Sequence, residues 1–191
     1  GPLAIVLPRR AEICALSVGG RMSVAVRMPA HPVALALLEA FGKPISAPSA
    51  NRSGRLSPTS AAHVAEEFAE FADLPILEGG PCEIGLESTV LDLSRARPMI
   101  LRPGAITQKD LEPIIGAVVA PEIGQQSASP GTSALHYAPK THAELVDEKN
   151  LASRLADLPE VPEKMNIIAV VAAYYMFGLK EYETALAIGC T

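Results

Sequence analysis

The sequence of 191 residues is long enough for one full domain and part of another, and its 49% of hydrophobic residues predicts a packed core. A net charge of −5 argues against a large non-specific nucleic-acid surface. The three cysteines are widely spaced, which fits neither a disulfide framework nor a zinc site and favours a reducing, cytoplasmic location. We expect no membrane span, because no apolar run reaches the roughly 18 residues that one requires.

The first forty residues predict two strands and a helix. Leu3–Leu7 is a short apolar run typical of a buried strand, and Ser23–Arg27 alternates like a second strand. Ala11–Leu16, between them, predicts one or two helical turns. Val33–Phe41 predicts a helix with an apolar stripe, which ends at Gly42.

The next seventy residues continue the alternation of helix and strand. Ser57-Pro58 predicts a helix start, with a hydroxyl cap and proline at the first helical position, and the helix is expected to run to about Phe71. The remaining predicted elements, three strands and a helix capped by Thr107, are Pro75–Leu77, Thr89–Leu93, Met99–Leu101 and 108–115.

The composition changes after residue 116. Residues 117–143 have no periodicity and predict a linker, and residues 144–191 predict an incomplete small α/β domain. Its predicted elements, in the order strand, helix, strand, helix, are Leu145-Val146, Asn150–Leu158, Ile167–Ala172 and Lys180–Leu186.

A polar stretch at Ile45–Ser57 carries four hydroxyls, one amide and two guanidiniums. Pro48 restricts the backbone and Gly54 permits a positive φ, so the loop can aim Ser49 and Asn51 the same way. Such groups suit a phosphate or carboxylate ligand. The alternative, on composition alone, is a serine-rich surface turn.

Further polar residues stand at predicted strand ends: Arg27 and Arg102 end strands, and Ser88 precedes one. Together they suit an anionic substrate with a small polar partner, although each alone is typical of a solvated surface arginine or of strand propensity. Cys82 lacks the flanking signature of a nucleophile and is expected to be a buried structural thiol. The four histidines lack metal-ligand spacing, so no metal site is predicted.

Four motifs in order carry a family resemblance. They are Ser23–Pro29, Ala47–Gly54, Gly79–Val90 and Leu101–Ile106, and they resemble the threonylcarbamoyl-AMP synthase (YrdC-like) family. The resemblance covers residues 1 to about 116, and Ser129–Gly131 with His136–Pro139 resembles the linker of the two-domain form. We expect the family's N-terminal segment, with its Lys-x-Arg motif, to be absent from residues 1–116 and the C-terminal domain to be incomplete. We therefore expect no threonine-dependent pyrophosphate release from residues 1–191 alone.

The resemblance implies a twisted mixed sheet with flanking helices, and an enzyme that makes threonylcarbamoyl-adenylate from L-threonine, bicarbonate and ATP, with Mg²⁺ accompanying the ATP. A tRNA-modifying complex would use the product. By the same resemblance, Ser49 and Asn51 would be the catalytic pair. Residues from about Gln125 to Pro139 are expected to act as a lid over the nucleotide pocket, because His136 and Tyr137 place two amphipathic rings in this segment. The alternative for this segment is a plain tether between two domains. The residues implied for ATP are Ser49, Asn51, Ser57, Arg102, Ser129 and Tyr137, and those implied for threonine are Arg27, Ala47 and Ser88. The alternative is an RNA-binding or regulatory module of the same fold.

Overall fold

The computed structural model describes residues 1–13, 15–119, 143–157, 165–172 and 183–190. The chain divides into two units, Gly1–Tyr137 and Ala138–Thr191. Most of the predicted linker 117–143, including Ser129 and Tyr137, lies outside the described residues. The predicted division at 116/117 and 143/144 therefore stays a prediction.

The first unit is built on a mixed sheet of four strands in the order β2-β1-β3-β4. β1 is antiparallel to β2 and parallel to β3, and β3 is antiparallel to β4. The predicted mixed α/β architecture is confirmed. The element bounds are β1 Leu3–Pro8, β2 Ser23–Val26, α1 Pro32–Phe41, α2 Ala61–Glu67, β3 Thr89–Asp92, β4 Met99–Arg102 and α3 Gln108–Ile115.

The strand directions bring four chain segments to one edge of this sheet. Leu3 of β1 pairs with Thr89 of β3, and Val90 pairs with Arg102 of β4. Because β2 runs against β1, its end lies beside the start of β1. The starts of β1 and β3 and the ends of β2 and β4 therefore share one edge, which we call the substrate edge.

The core lies between β3, β4 and α3. Its buried members are Leu91, Ile100, Leu111 and Val118. Helix α3 begins after Thr107, as predicted, and the carboxylate of Asp110 accepts hydrogen bonds from the Thr107 N–H and hydroxyl. This local arrangement satisfies groups that the first turn of a helix leaves without a partner.

Helix α1 matches its predicted position. Gly42 ends it with φ 68°, in the left-handed region, and donates its N–H to the Leu38 carbonyl at 2.9 Å. No residue of α1 is buried, so the predicted apolar stripe is only partly covered in the described structure.

The predicted start of α2 is wrong. The helix begins at Ala61 rather than Pro58, because Ser60 is its N-cap and accepts the His63 N–H at 3.4 Å. Ser57, the expected cap, instead donates its hydroxyl to Glu87, thirty residues away. The helix also ends at Glu67, earlier than the predicted Phe71.

Two other local predictions in this unit are also wrong. Pro75–Leu77 is a loop rather than a strand, since a short apolar run does not by itself specify a strand. The expected helical turns at Ala11–Leu16 are replaced by a short 3-10 helix at Ala15–Val18.

The second unit contains an antiparallel sheet in the order β5-β7-β6 and one helix. The predicted strands and the first predicted helix are present, but the second predicted helix, Lys180–Leu186, is wrong, because Glu183–Cys190 is a strand paired on both sides. Short apolar runs of this kind do not distinguish helix from strand by themselves. The bounds are β5 Ala143–Asp147, α4 Glu148–Ala156, β6 Met165–Ala172 and β7 Glu183–Cys190.

A buried acid lies at the other end of β3, where Asp92 is 3% exposed. Burial by itself would raise the pKa of the Asp92 carboxyl. Hydrogen bonds from the Ser94 hydroxyl and N–H and from the Arg95 guanidinium outweigh it, so the pKa lies below its ordinary value of 3.8. The carboxylate therefore contributes stability above pH 3.8, and this contribution disappears as the pH falls through the lower folded pKa.

We expect Asp92→Asn to lower the free energy of unfolding by about 1–2 kcal/mol at neutral pH, because the amide oxygen accepts hydrogen bonds less strongly than the carboxylate. The difference from wild type should shrink as the pH falls below 3.8 and through the lower folded pKa, where the wild-type carboxyl becomes protonated. Urea unfolding at a series of pH values measures it. A difference that stays constant at every pH below 3.8 at which the protein remains folded would contradict the assignment.

Candidate functional site

The centre of the candidate site is the guanidinium of Arg102, which lies against Ser88 at the substrate edge. Its Nε and Nη2 donate to the Ser88 carbonyl at 3.1 and 2.8 Å, and Nη2 also donates to the Ser88 hydroxyl at 3.0 Å. The Arg102 side chain is only 16% exposed. A sequence-predicted nucleotide residue and a sequence-predicted threonine residue are therefore in direct contact.

Glu87 joins a third predicted residue to this pair. Its Oε2 lies 3.5 Å from Arg102 Nη2, and its Oε1 accepts the Ser57 hydroxyl at 2.7 Å. Glu87 lies in the polar segment Glu87–Thr89 at the start of a predicted strand, but the family resemblance assigned it no ligand. Ser57, Glu87, Ser88 and Arg102 form a polar cluster that we call the edge cluster.

The backbone beneath the edge cluster is closely packed. Thr89 is 0% exposed, and its hydroxyl donates to the Ile106 carbonyl at 2.6 Å and accepts the Ile106 N–H at 3.1 Å. At Gly104 an added Cβ would lie 2.4 Å from the Glu87 carbonyl oxygen and 2.5 Å from the Thr89 nitrogen. The start of β3 and the segment after β4 are therefore held together by close contact, which explains the glycine at 104.

Arg27 directly follows β2, so it stands at the same edge of the sheet. It is exposed, and its Nε donates to the Gly1 carbonyl at 2.9 Å. The Gly1 amino group in turn donates to the Met28 carbonyl. An exposed guanidinium at this place can reach a carboxylate in solution.

The polar loop places its residues in two ways. Ala47 and Ser49 are exposed. Asn51 is half-buried, and its Nδ2 donates to the carbonyls of Arg52 and Arg55 at 2.9 and 3.1 Å. Among the described residues, the buried Oδ1 of Asn51 has no hydrogen-bond partner. The orientation of the amide is therefore fixed by its two donor bonds, and its unpaired oxygen is turned away from solvent.

The two arginines of the loop face helix α2. Arg52 forms an ion pair with Glu70 and lies 5.9 Å from the ring centre of Phe68. Arg55 Nη1 donates to Glu67 at 3.1 Å. The expectation that these cations would serve an anionic ligand is not supported by the geometry, since acidic partners already offset their charge.

The structure thus brings Ser57, Ser88 and Arg102 into one cluster and places Arg27 at the same edge, while Asn51 belongs to a separate network. The prediction of a buried Cys82 thiol is wrong, because the side chain is exposed. Within the described ranges, no group of three His, Cys, Asp or Glu side chains is arranged to hold a metal ion. In the same part of the chain, no helix has the length and apolarity to cross a membrane.

The model of the Sua5–YciO–YrdC family, described as "Telomere recombination", matches residues 1–104. The chain belongs to this family.

Curated relatives and solved structures agree with the family membership. The chain is 40% identical over 179 residues to a threonylcarbamoyl-AMP synthase of Pyrococcus abyssi, covering 88% of this chain and 52% of the relative. It is 43% identical over 144 residues to a threonylcarbamoyl-AMP synthase of Bacillus subtilis, covering 73% of this chain and 41% of the relative. This member of the family thus spans about half the length of the curated relatives that it matches.

A solved structure gives a similar result. The crystal structure of P. abyssi Sua5 complexed with L-threonine matches with a TM-score of 0.68 and 44% sequence identity, over 74% of this chain and 43% of that one. A structure of a doubly substituted P. abyssi Sua5 matches with a TM-score of 0.63 at 43% identity, over 72% of this chain and 40% of that one.

Proposed function

We propose that this chain is the catalytic part of a threonylcarbamoyl-AMP synthase. The observation that carries the proposal is the edge cluster, in which Ser57, Ser88 and Arg102 meet around Glu87. A cation that contacts the Ser88 hydroxyl and pairs with the carboxylate that accepts the Ser57 hydroxyl suits the meeting point of an anionic nucleotide and a small polar substrate. The relatives at 40% and 43% identity are named for that activity, which supports the assignment.

The proposed roles follow the family resemblance. Arg27 would bind the threonine carboxylate, with Ser88 and the backbone at Ala47 nearby. The nucleotide would be bound by Ser49, Asn51, Ser57 and Arg102. Ser129 and Tyr137 are proposed as further nucleotide contacts from residues 117–143.

The chemistry would need positioning more than a protein nucleophile. Condensation of the threonine amine with bicarbonate gives a carbamate and water, and a carbamate oxygen then attacks the α-phosphorus of ATP as pyrophosphate leaves. Arg102 would stabilise charge on the phosphate, and Arg27 would orient the threonine. Mg²⁺ would enter with the triphosphate as part of the substrate. We place the reaction in the cytoplasm, where a tRNA-modifying complex would take up the product.

Threonine-dependent release of pyrophosphate from ATP by the full-length protein tests the function. No release in the presence of bicarbonate and Mg²⁺ would overturn it. Tight RNA binding with a steep salt dependence and no release would favour a binding module instead.

We further expect two substitutions to separate the substrates. Arg27→Ala should weaken threonine binding by about 10- to 100-fold and leave ATP nearly unchanged, because it removes a charged hydrogen bond. Ser49→Ala should weaken ATP binding by about 3- to 10-fold and leave threonine binding nearly unchanged, because it removes a neutral hydrogen bond. Both residues are exposed, so the fold should be unaffected. Calorimetric titration of each ligand measures the four affinities, and equal losses for both ligands in each variant would contradict the roles.

A further inference from the structure

A glutamate outside the edge cluster holds the polar loop in place. Glu67 is the last residue of α2, and its Oε1 accepts the Arg52 N–H at 3.1 Å. Its Oε2 accepts Arg55 Nη1 at 3.1 Å. The Glu67 side chain is 14% exposed, whereas the Arg55 side chain is 41% exposed, so the carboxylate is the more buried partner of this pair. One carboxylate thus spans the two ends of a four-residue segment.

The same segment is closed from its other side by Asn51. Asn51 Nδ2 donates to the carbonyls of Arg52 and Arg55, and the Arg55 N–H donates to the Arg52 carbonyl at 3.1 Å. Gly54, with φ 83°, allows the tight turn between them. Residues 51–55, which we call the Asn51 loop, therefore form a small ring of hydrogen bonds that rests on Glu67.

The ring fixes the orientation of the Asn51 amide. Both amide hydrogens point at carbonyls of the ring, and the reverse orientation would set the amide oxygen against those carbonyls. The orientation of Asn51 therefore depends on where the backbone of Arg52 and Arg55 lies. Glu67 contacts one of these residues through its backbone and the other through its side chain.

We propose that Glu67 is a positioning residue, which sets the Asn51 loop in the geometry that binds the nucleotide. The inference rests on the proposed function, in which Ser49 and Asn51 contact ATP. Glu67 acts through the loop and does not touch substrate. Glu67 should not affect the affinity for threonine. The proposed threonine residues Arg27 and Ser88 form no hydrogen bond with the Asn51 loop in the part of the chain that the structure describes.

The test compares Glu67→Gln with Glu66→Gln in the full-length protein. Both remove one negative charge from neighbouring positions of α2, but Glu66 is exposed and takes no part in the loop contacts. A glutamine at 67 cannot accept from Arg52 and Arg55 through two separate oxygens as the glutamate does, since one of its two polar atoms is a donor. We expect Glu67→Gln to raise the KM for ATP about 10-fold, leave the KM for threonine and kcat nearly unchanged, and speed hydrogen exchange at the Arg52 amide. Glu66→Gln should match wild type in all four.

The outcomes separate this inference from the function on which it rests. If wild type releases pyrophosphate and Glu67→Gln keeps its KM for ATP, the positioning role is wrong and the function stands. If wild type shows no such release, the function is wrong, and the positioning role is overturned with it whatever the exchange at Arg52. If Glu67→Gln folds poorly, Arg55→Gln removes the partner of Glu67 in the ion pair instead. This variant should also raise the KM for ATP and leave the KM for threonine nearly unchanged. A loss of affinity for both substrates would overturn the proposal.

Discussion

Gly104→Ala should lower the free energy of unfolding by about 3 kcal/mol, at the upper end of the usual cost of overpacking. The added Cβ would lie 2.4 Å from the Glu87 carbonyl oxygen, 2.5 Å from the Thr89 nitrogen and 2.8 Å from the Ser88 carbonyl carbon. All three atoms belong to the backbone at the start of β3, so no flexible side chain can move aside. The steric overlap can be relieved only if β3 and the segment after β4 move apart.

Gly85→Ala provides the matched control. An added Cβ there has no atom within 4 Å, and Gly85 is not among the glycines with positive φ. Urea unfolding of both variants, followed by circular dichroism, measures the difference. The Gly104→Ala substitution should also weaken the binding of ATP and of threonine, because the contact lies directly beneath Ser88. If the Gly104→Ala protein is as stable as the Gly85→Ala protein, the close packing described at the substrate edge is contradicted.

Arg102→Leu should lower the free energy of unfolding by about 2–3 kcal/mol and weaken ATP and threonine together, each by about 100-fold or more. Removing the guanidinium leaves the Ser88 carbonyl without two donors and Glu87 without its cationic partner. The cost is below that of a fully buried pair, because the Glu87 side chain is about one-third exposed. Arg102 contacts both Ser88 and the Glu87 carboxylate, which accepts the Ser57 hydroxyl. Loss of the guanidinium should therefore lower the affinity for both substrates rather than for one.

Arg97→Leu is the control for the charge change. Arg97 is exposed in the connection between β3 and β4, at the edge of the sheet away from the cluster. The free energy of unfolding of the Arg97→Leu protein and its affinities for ATP and threonine should stay near those of wild type. Calorimetric titration with each ligand and urea unfolding give the three values. Loss of only one substrate in Arg102→Leu would contradict a shared role for the edge cluster.

Much of the fold follows from local sequence signals. Helix α1, with proline at its start and Gly42 at its end, and helix α3, with Thr107 and Asp110, carry their own boundary signals within a few residues. The start of α2 does not, because Ser57 and Ser60 are both suitable caps. The choice depends on Glu87, which recruits the Ser57 hydroxyl from a distant part of the chain.

The residue types of the candidate site were also visible in the sequence, since Arg27, Ser88 and Arg102 stand at strand ends. Their arrangement was not. The contact of Arg102 with Ser88 needs the antiparallel pairing of β3 with β4, and the place of Arg27 beside them needs β1 to pair with both β2 and β3. Pairing partners of this kind are chosen by the burial of whole strands, which a local pattern does not report.

The sequence by itself determined the elements with strong local chemistry, the mixed α/β class and the family resemblance in the four motifs. Only the tertiary structure decided that Glu87 belongs to the site, that Arg52 and Arg55 face acidic partners, and that Asn51 uses its donors within its own loop. The physical reason is the same in each case. A hydroxyl, an amide or a guanidinium can bond to many partners, and the one that it takes is set by which backbone segments the packed sheet and helices bring within about 3 Å.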